Sequence, residues 1–299
     1  MLTTKDFELL WRFDLSDIAN RIELRKFDYR LFTPNETDLE IDRILDHIRS
    51  GLIPSGPKRI NDWEKGWLEN LEIYREDQFI DCLIPKYFGK DPILRFKNNL
   101  IFSENYDLEL NFFATLMDYV SIRYLKSFEH VYEFGCGTFH NLIRIRSLFE
   151  KAILTGLDWT TSSNQIGQKL FGEYQINNYK FDFYNPDFNL KVSDNSCALT
   201  VAALEQVGTK SKKFIDYLLL SNFRRVIHVE PVIELLNSKD RLEATSIKYA
   251  QERNYLQGLL PYLEKKEAEG KLKILTAEKS HIGSHYLDGY QIIVWENIK

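Results

Sequence analysis

The sequence predicts an α/β protein: a mostly parallel sheet of seven strands in residues 128–299, covered by a mainly helical cap in residues 1–127. Two observations carry this. After His130, short apolar runs recur, each followed by a turn and a stretch of helical periodicity, which is the pattern of βαβ units. Before it, apolar residues fall at helical spacing between stretches rich in aromatic residues and charge. No linker-like tract separates the two regions.

In the cap, DLEIDRILDHI (38–48) places Leu39, Ile41, Ile44, Leu45 and Ile48 at helical spacing. Thr37 is the expected N-cap, and Gly51 the stop. A second helix is expected over 61–79, carrying Trp63, Trp67, Leu71 and Tyr74, and a third over 106–125. The expected parallel strands are HVYEFG (130–135), ILTGLDW (153–159), YKFDFY (179–184), CALTVAAL (197–204) and RRVIHVE (224–230). A long helix is expected from 240 to 269. Two last strands, 271–280 and 290–298, form a pair at the sheet edge, joined by a polar loop containing GSHYLDG.

Composition narrows the function. Hydrophobic residues make up 44% and charged residues 28% of 299, so a large core forms and disorder is excluded. The net charge of −5 is not the basic footprint of a nucleic-acid binder. Three scattered cysteines make neither a disulfide framework nor a CxxC metal site. The start, MLTTKDFELLWRFDL, has no apolar run of the signal-peptide kind, and no segment is apolar enough to span a membrane. A cytoplasmic protein with no membrane or nucleic-acid partner is therefore expected.

The chemistry is concentrated in Val131-Tyr-Glu-Phe-Gly-Cys-Gly-Thr-Phe-His140. A strand ends on the acid Glu133, turns through Gly135 and Gly137, and opens a helix. Glycine lets backbone approach a ligand with no Cβ in the way, and a helix start offers unpaired N–H groups. A second acid, Asp158, ends the next strand, where it can bond the two hydroxyls of a ribose. A dinucleotide loop wants a third glycine at position 140, which is histidine here. An acid beside the first glycine suits a ligand with a cationic portion rather than a diphosphate.

The segment 130–298 resembles the class I S-adenosylmethionine-dependent methyltransferases, which have a Rossmann-like sheet. VYEFGCGTF is similar to their first motif, an acid-x-Gly-x-Gly-x-Gly, with Phe139 in place of the third glycine. GLDW resembles the second motif, FDFYNPD the third and TVAALEQVG the fourth. The resemblance implies S-adenosylmethionine as cofactor, held by Glu133, Gly135, Cys136, Gly137, Asp158, Trp159, Asp182, Phe183, Leu204 and Glu205. Asp182 would meet the adenine amino group and Phe183 the ring. It implies an enzyme transferring a methyl group to a small polar metabolite, such as a sugar or another hydroxyl or amine carrier.

Two other readings stay open: an enzyme cyclising the cofactor's aminocarboxypropyl arm, and a non-catalytic nucleoside-binding protein. LEQVG after the fourth strand lacks the Pro-Pro-aromatic motif of DNA amino-methyltransferases, and no acid set for a metal is evident. The acceptor should sit at the C-terminal strand ends, under the aromatic cap. Glu230 and His285 are the candidate catalytic residues, while His228, deeper in its strand, reads as a core histidine.

Overall fold

The computed structural model describes residues 2–298. The chain opens with helices α1 (Thr4–Trp11) and α2 (Ala19–Glu23), strand β1 (Arg30–Leu31), then α3 (Pro34–Arg49) and α4 (Ile60–Asp77). A hairpin comes next, β2 (Ile93–Phe96) and β3 (Asn99–Phe102), and then α5 (Leu108–Val120). The remainder alternates: β4 (His130–Phe134), α6 (His140–Leu148), β5 (Ile153–Asp158), α7 (Thr161–Tyr174), β6 (Ile176–Lys180), β7 (Ser196–Val201), α8 (Lys212–Leu220) and β8 (Phe223–Glu230). Helices α9 (Arg241–Glu252) and α10 (Leu259–Ala268) precede β9 (Leu272–Glu278), β10 (Ile282–Gly283) and β11 (Gln291–Asn297).

The main sheet runs β6-β5-β4-β7-β8-β11-β9, parallel except for β11, which is antiparallel to both neighbours. This is the Rossmann-like, seven-stranded, mostly parallel sheet expected from the sequence. Side chains alternate between two cores, as the period of two in a strand requires. Val131, Leu199, Ile227 and Ile292 face a core shared with α1, α5 and the β2–β3 hairpin. Phe134, Ala198, Val226 and Trp295 face the other, closed by α8 and α10. The N-terminal helices are thus one layer of the packed molecule as well as its cap.

Several boundaries differ from expectation. Helix α3 begins earlier: Thr33, not Thr37, is the N-cap, with Pro34 at the first turn and Glu36 completing a capping box. The third sheet strand is INNYK, not 179–184; it lies at the sheet edge, where few of its side chains need be apolar. The helix expected over 240–269 breaks into α9 and α10 at Asn254 and Gly258, both with positive φ. The cap is not purely helical. Lys97 and Asn98, with φ of 49° and 59°, make the two-residue turn of the β2–β3 hairpin. β10 pairs with β2 and β1 with β3, so the C-terminal loop joins a four-stranded sheet in the cap.

Phe139, at the motif's third glycine position, is accommodated by two glycines elsewhere. It takes φ of 67°, and its ring is 1% exposed. A Cβ on Gly156 of β5 would lie 2.3 Å from Phe139 Cε1, and one on Gly167 of α7 would lie 2.5 Å from Cζ. These glycines form the notch that the ring fills. Gly156→Ala is therefore expected to destabilise the chain by at least ~1–3 kcal/mol through overpacking. Denaturant unfolding checks this, and the double variant with Phe139→Ala should lose less than the sum of the two single changes. Additive losses would place the ring elsewhere.

Candidate functional site

The site lies where the sheet's strand order reverses, between the C-terminal ends of β4 and β7, the usual ligand crevice of such sheets. The two ends nearly touch: a Cβ on Gly135 would lie 2.4 Å from that of Ala203. Gly135 and Gly137 take φ of 75° and 52°, conformations that favour glycine. The loop is fastened to β5. The amides of Gly135 and Cys136 donate to the Leu157 carbonyl at 2.7 and 3.1 Å, and that of Gly137 to Asp158 Oδ2 at 3.1 Å. Asp158 Oδ1 accepts from the Thr160 amide and hydroxyl at 2.8 and 2.7 Å, and burial raises its pKa.

The surroundings of the loop hold a run of buried polar atoms with no partner among the described residues: Glu133 Oε2, Thr138 Oγ1, His140 Nε2 and Asn141 Oδ1. Glu133 is 1% exposed and, among the described residues, accepts only from Asn141 Nδ2, at 2.7 Å. Such atoms cost stability unless something bonds them. Four within nine residues fit the donors and acceptors of an amino-acid group lying on the loop.

Beside the loop is a cleft lined by Asp158, Trp159, Asp182, Phe183, Gln206 and Trp67 among others. Asp182 accepts from the Tyr184 amide at 2.8 Å and from Asn185 Nδ2 at 3.0 Å. Cys136 borders an adjoining space with Gly137, its thiol buried against Ser163 and pushed well above its ordinary pKa by that burial. Leu204 does not line the cleft. It turns into the core below the sheet, and Ala202, Ala203 and Val207 take its place. Glu205 faces a second cavity instead.

That cavity lies between the cap and the strand ends. Its wall includes Trp63, Tyr87, Glu109, Glu205, His285 and Tyr290. Of the other cap aromatics, Phe88 and Phe113 border the space beside the glycine loop. Phe96 and Phe112 are core, and Tyr106 is exposed.

Glu230 and His285 are both brought to this region, but their polar atoms are engaged. Glu230 accepts the amides of Ala203, Leu204 and Glu205 at 2.9–3.1 Å and the Thr200 hydroxyl. Thr200 in turn meets His228 Nδ1 at 2.9 Å, and Trp295 Nε1 donates to His228 Nε2 at 3.1 Å. His228 is thus a core histidine, its pKa pushed down to about 3 by burial. The chain of bonds fixes the turn after β7. His285 has a carboxylate on each nitrogen, Asp91 at 2.7 Å and Glu40 at 2.9 Å, so neither nitrogen is open to take a proton from a ligand. Arg95, buried, ties the same loop down through the His285 and Leu242 carbonyls, Thr245 and Asp288. The geometry makes Glu230 and His285 positioning residues.

Helix α4 contributes residues that sequence reasoning missed. Glu64 accepts the first amides of α7, Thr161 and Ser162, at 2.7 and 2.8 Å, and so pins α4 over the site. Trp63 and Trp67 stack at 5.4 Å, and Trp67 lies on Gly137. The two tryptophans on one helix face were the available signal.

Burial pushes the carboxyls of Glu109 and Glu230 up to about 7 and those of Glu133 and Glu205 up to about 8. The folded chain therefore keeps protons that the unfolded chain releases near its ordinary carboxylate range. Stability from these four groups is full at low pH and lost as pH rises through 7 to 8. His228 and His140, held down to about 3 and about 4 by burial, act oppositely, but only as pH falls through ~6.5 and below. The melting temperature of the ligand-free protein should therefore rise as pH is lowered from about 8.5 to about 6.5. A flat or falling melting temperature over that window would contradict these buried protons.

The chain matches no protein-family model and no curated protein. Solved structures align with it at low identity. One is the O-methyltransferase NcsB1 from neocarzinostatin biosynthesis, in complex with S-adenosylmethionine and 2-hydroxy-5-methyl naphthoic acid. It is 13% identical, with a TM-score of 0.43, over 80% of this chain and 70% of that one. The plantazolicin methyltransferase BpumL, with S-adenosylhomocysteine and a desmethyl analogue, is 14% identical, with a TM-score of 0.45, over 81% and 99%. The N-methyltransferase NodS from Bradyrhizobium japonicum WM9, with S-adenosylhomocysteine, is 9% identical, with a TM-score of 0.46, over 77% and 100%. The Rossmann-like fold stands on the strand order of the chain itself.

Proposed function

We propose that the protein is an S-adenosylmethionine-dependent methyltransferase acting on a small polar metabolite. The observation that carries this is the set of orphaned buried polar atoms around the glycine loop, next to an acid-ended β5 and an aromatic cleft. Those features fit one ligand with an amino-acid arm, a ribose and an adenine. Glu133 Oε2 receives the ammonium, and Thr138 and His140 face the carboxylate. The backbone of Gly135, Cys136 and Gly137 lets the arm lie close. Asp158 takes the ribose hydroxyls, while Trp159, Phe183 and Asp182 hold the adenine. When bound, this cofactor supplies a methyl carbon on a positively charged sulfur. Residues 1–127 form the cap over the 128–299 domain, and Trp63 of α4 borders both cavities, so donor and acceptor meet beneath it. Holding the two in line removes much of the entropic cost of their meeting.

Incubation with methyl-labelled S-adenosylmethionine and a metabolite extract tests this reading. Labelled product together with S-adenosylhomocysteine is expected. Methylthioadenosine released without any acceptor would instead favour cyclisation of the arm.

A further inference from the structure

We infer that the larger cavity takes an acceptor bearing a cationic amine, with the ammonium held against tyrosine faces and its proton passed to Glu109. This deepens the methyltransferase reading and rests on it. The wall presents the rings of Trp63, Tyr87, Tyr249, Tyr255, Tyr286 and Tyr290, and aromatic faces attract ammonium groups. It also presents three acids. Asp91 is taken by His285. Glu109 is 8% exposed, and its only bond among the described residues is a long one, 3.4 Å, from the Gly89 amide. Among the described residues, one of its oxygens therefore meets no donor, and no lysine or arginine pairs with it. Among the described residues, Glu205 accepts only from Gln206 Nε2, at 2.7 Å. Arg59 and Arg253 act on Glu205 only from a distance; Arg59 is paired with Asp62, and Arg253 bonds the Ile53 carbonyl and the Tyr255 hydroxyl. Lys90, the one lysine on this wall, is exposed. A buried carboxylate without a cation is costly, and an ammonium supplies the missing partner, whereas a neutral sugar does not.

The chemistry balances. The ammonium gives one proton to the Glu109 carboxylate and becomes a neutral amine. The nitrogen lone pair then bonds the methyl carbon of a sulfonium donor as the carbon–sulfur bond breaks and its electron pair stays on sulfur. The products are a methylammonium, a neutral thioether and a protonated Glu109, which returns its proton to water. Burial already holds the Glu109 carboxyl up at about 7, so proton uptake near neutrality is easy.

Calorimetry on the full chain, with and without S-adenosylhomocysteine, tests this using 2-phenylethylamine, 2-phenylethanol and phenylacetate, which differ chiefly in the charge of one end. The amine should bind at least ~10-fold more tightly than the alcohol, and phenylacetate most weakly. Glu109→Gln, close to isosteric, should remove most of the amine preference and leave the alcohol unchanged, with the melting curve reporting folding. Equal binding of amine and alcohol, no binding of the amine, or an unchanged preference in Glu109→Gln would overturn the inference. The nucleoside titration separates the two claims. A chain that binds S-adenosylhomocysteine without amine preference loses only this inference. One that prefers the amine yet ignores the nucleoside loses the methyltransferase reading.

Discussion

Gly137→Val is expected to abolish measurable binding of S-adenosylhomocysteine while the chain still folds. Two effects combine at this position. Its φ of 52° costs a side chain ~1–2 kcal/mol, and a β-branched one more. A Cβ would also lie 2.8 Å from Trp67 Cζ2, so α4 would have to lift or the loop to retreat. Retreat of the loop also displaces the Gly137 amide that Asp158 holds. Calorimetry beside a melting curve checks this. Ordinary affinity in a folded Gly137→Val protein would mean that the ligand does not lie on this loop.

Asp158→Ala should have the next largest effect. A charge-assisted hydrogen bond lost from a buried carboxylate costs roughly 1.5–3 kcal/mol, which is ~10–150-fold in affinity. The loss has two parts here, because Asp158 also holds the Gly137 and Thr160 amides. Asp158→Asn keeps an acceptor for one of those amides and should recover stability more than it recovers affinity. If both variants bind S-adenosylhomocysteine as the parent does, Asp158 holds the loop and nothing more.

The legibility of these features in the sequence depends on how local each one is. Central parallel strands are buried on both faces and read as apolar runs, which is why HVYEF, SCALTV and FRRVIHVE stand out. The edge strand INNYK has no such need, and the neighbouring FDFY, which lines the cleft, is the more apolar run. The loop glycines and strand-ending acids are set by backbone turns a few residues long, and so they are visible. The segment after β7 is harder to read. A tight turn with Ala202 at φ of 46° sends Leu204 into the core and Glu205 to the far cavity, a rotation that spacing alone does not encode. Glu64, Trp63 and Trp67 reach the site only because α4 packs on α7, and Glu40 and Asp91 reach His285 only because α3 and the hairpin close on its loop. Such contacts belong to tertiary packing. They turn His285 from an exposed-loop base, as its neighbourhood suggests, into a clasp.

The most direct measurement is a crystal structure of the protein with S-adenosylhomocysteine. The ammonium is expected within hydrogen-bond distance of Glu133 Oε2, the ribose hydroxyls on Asp158, the adenine against Phe183 and Trp159, and the sulfur open to the tyrosine-lined cavity. A ligand bound elsewhere, or a glycine loop left bare with its buried polar atoms bonded only to ordered water, would contradict the cofactor site and, with it, the proposed activity.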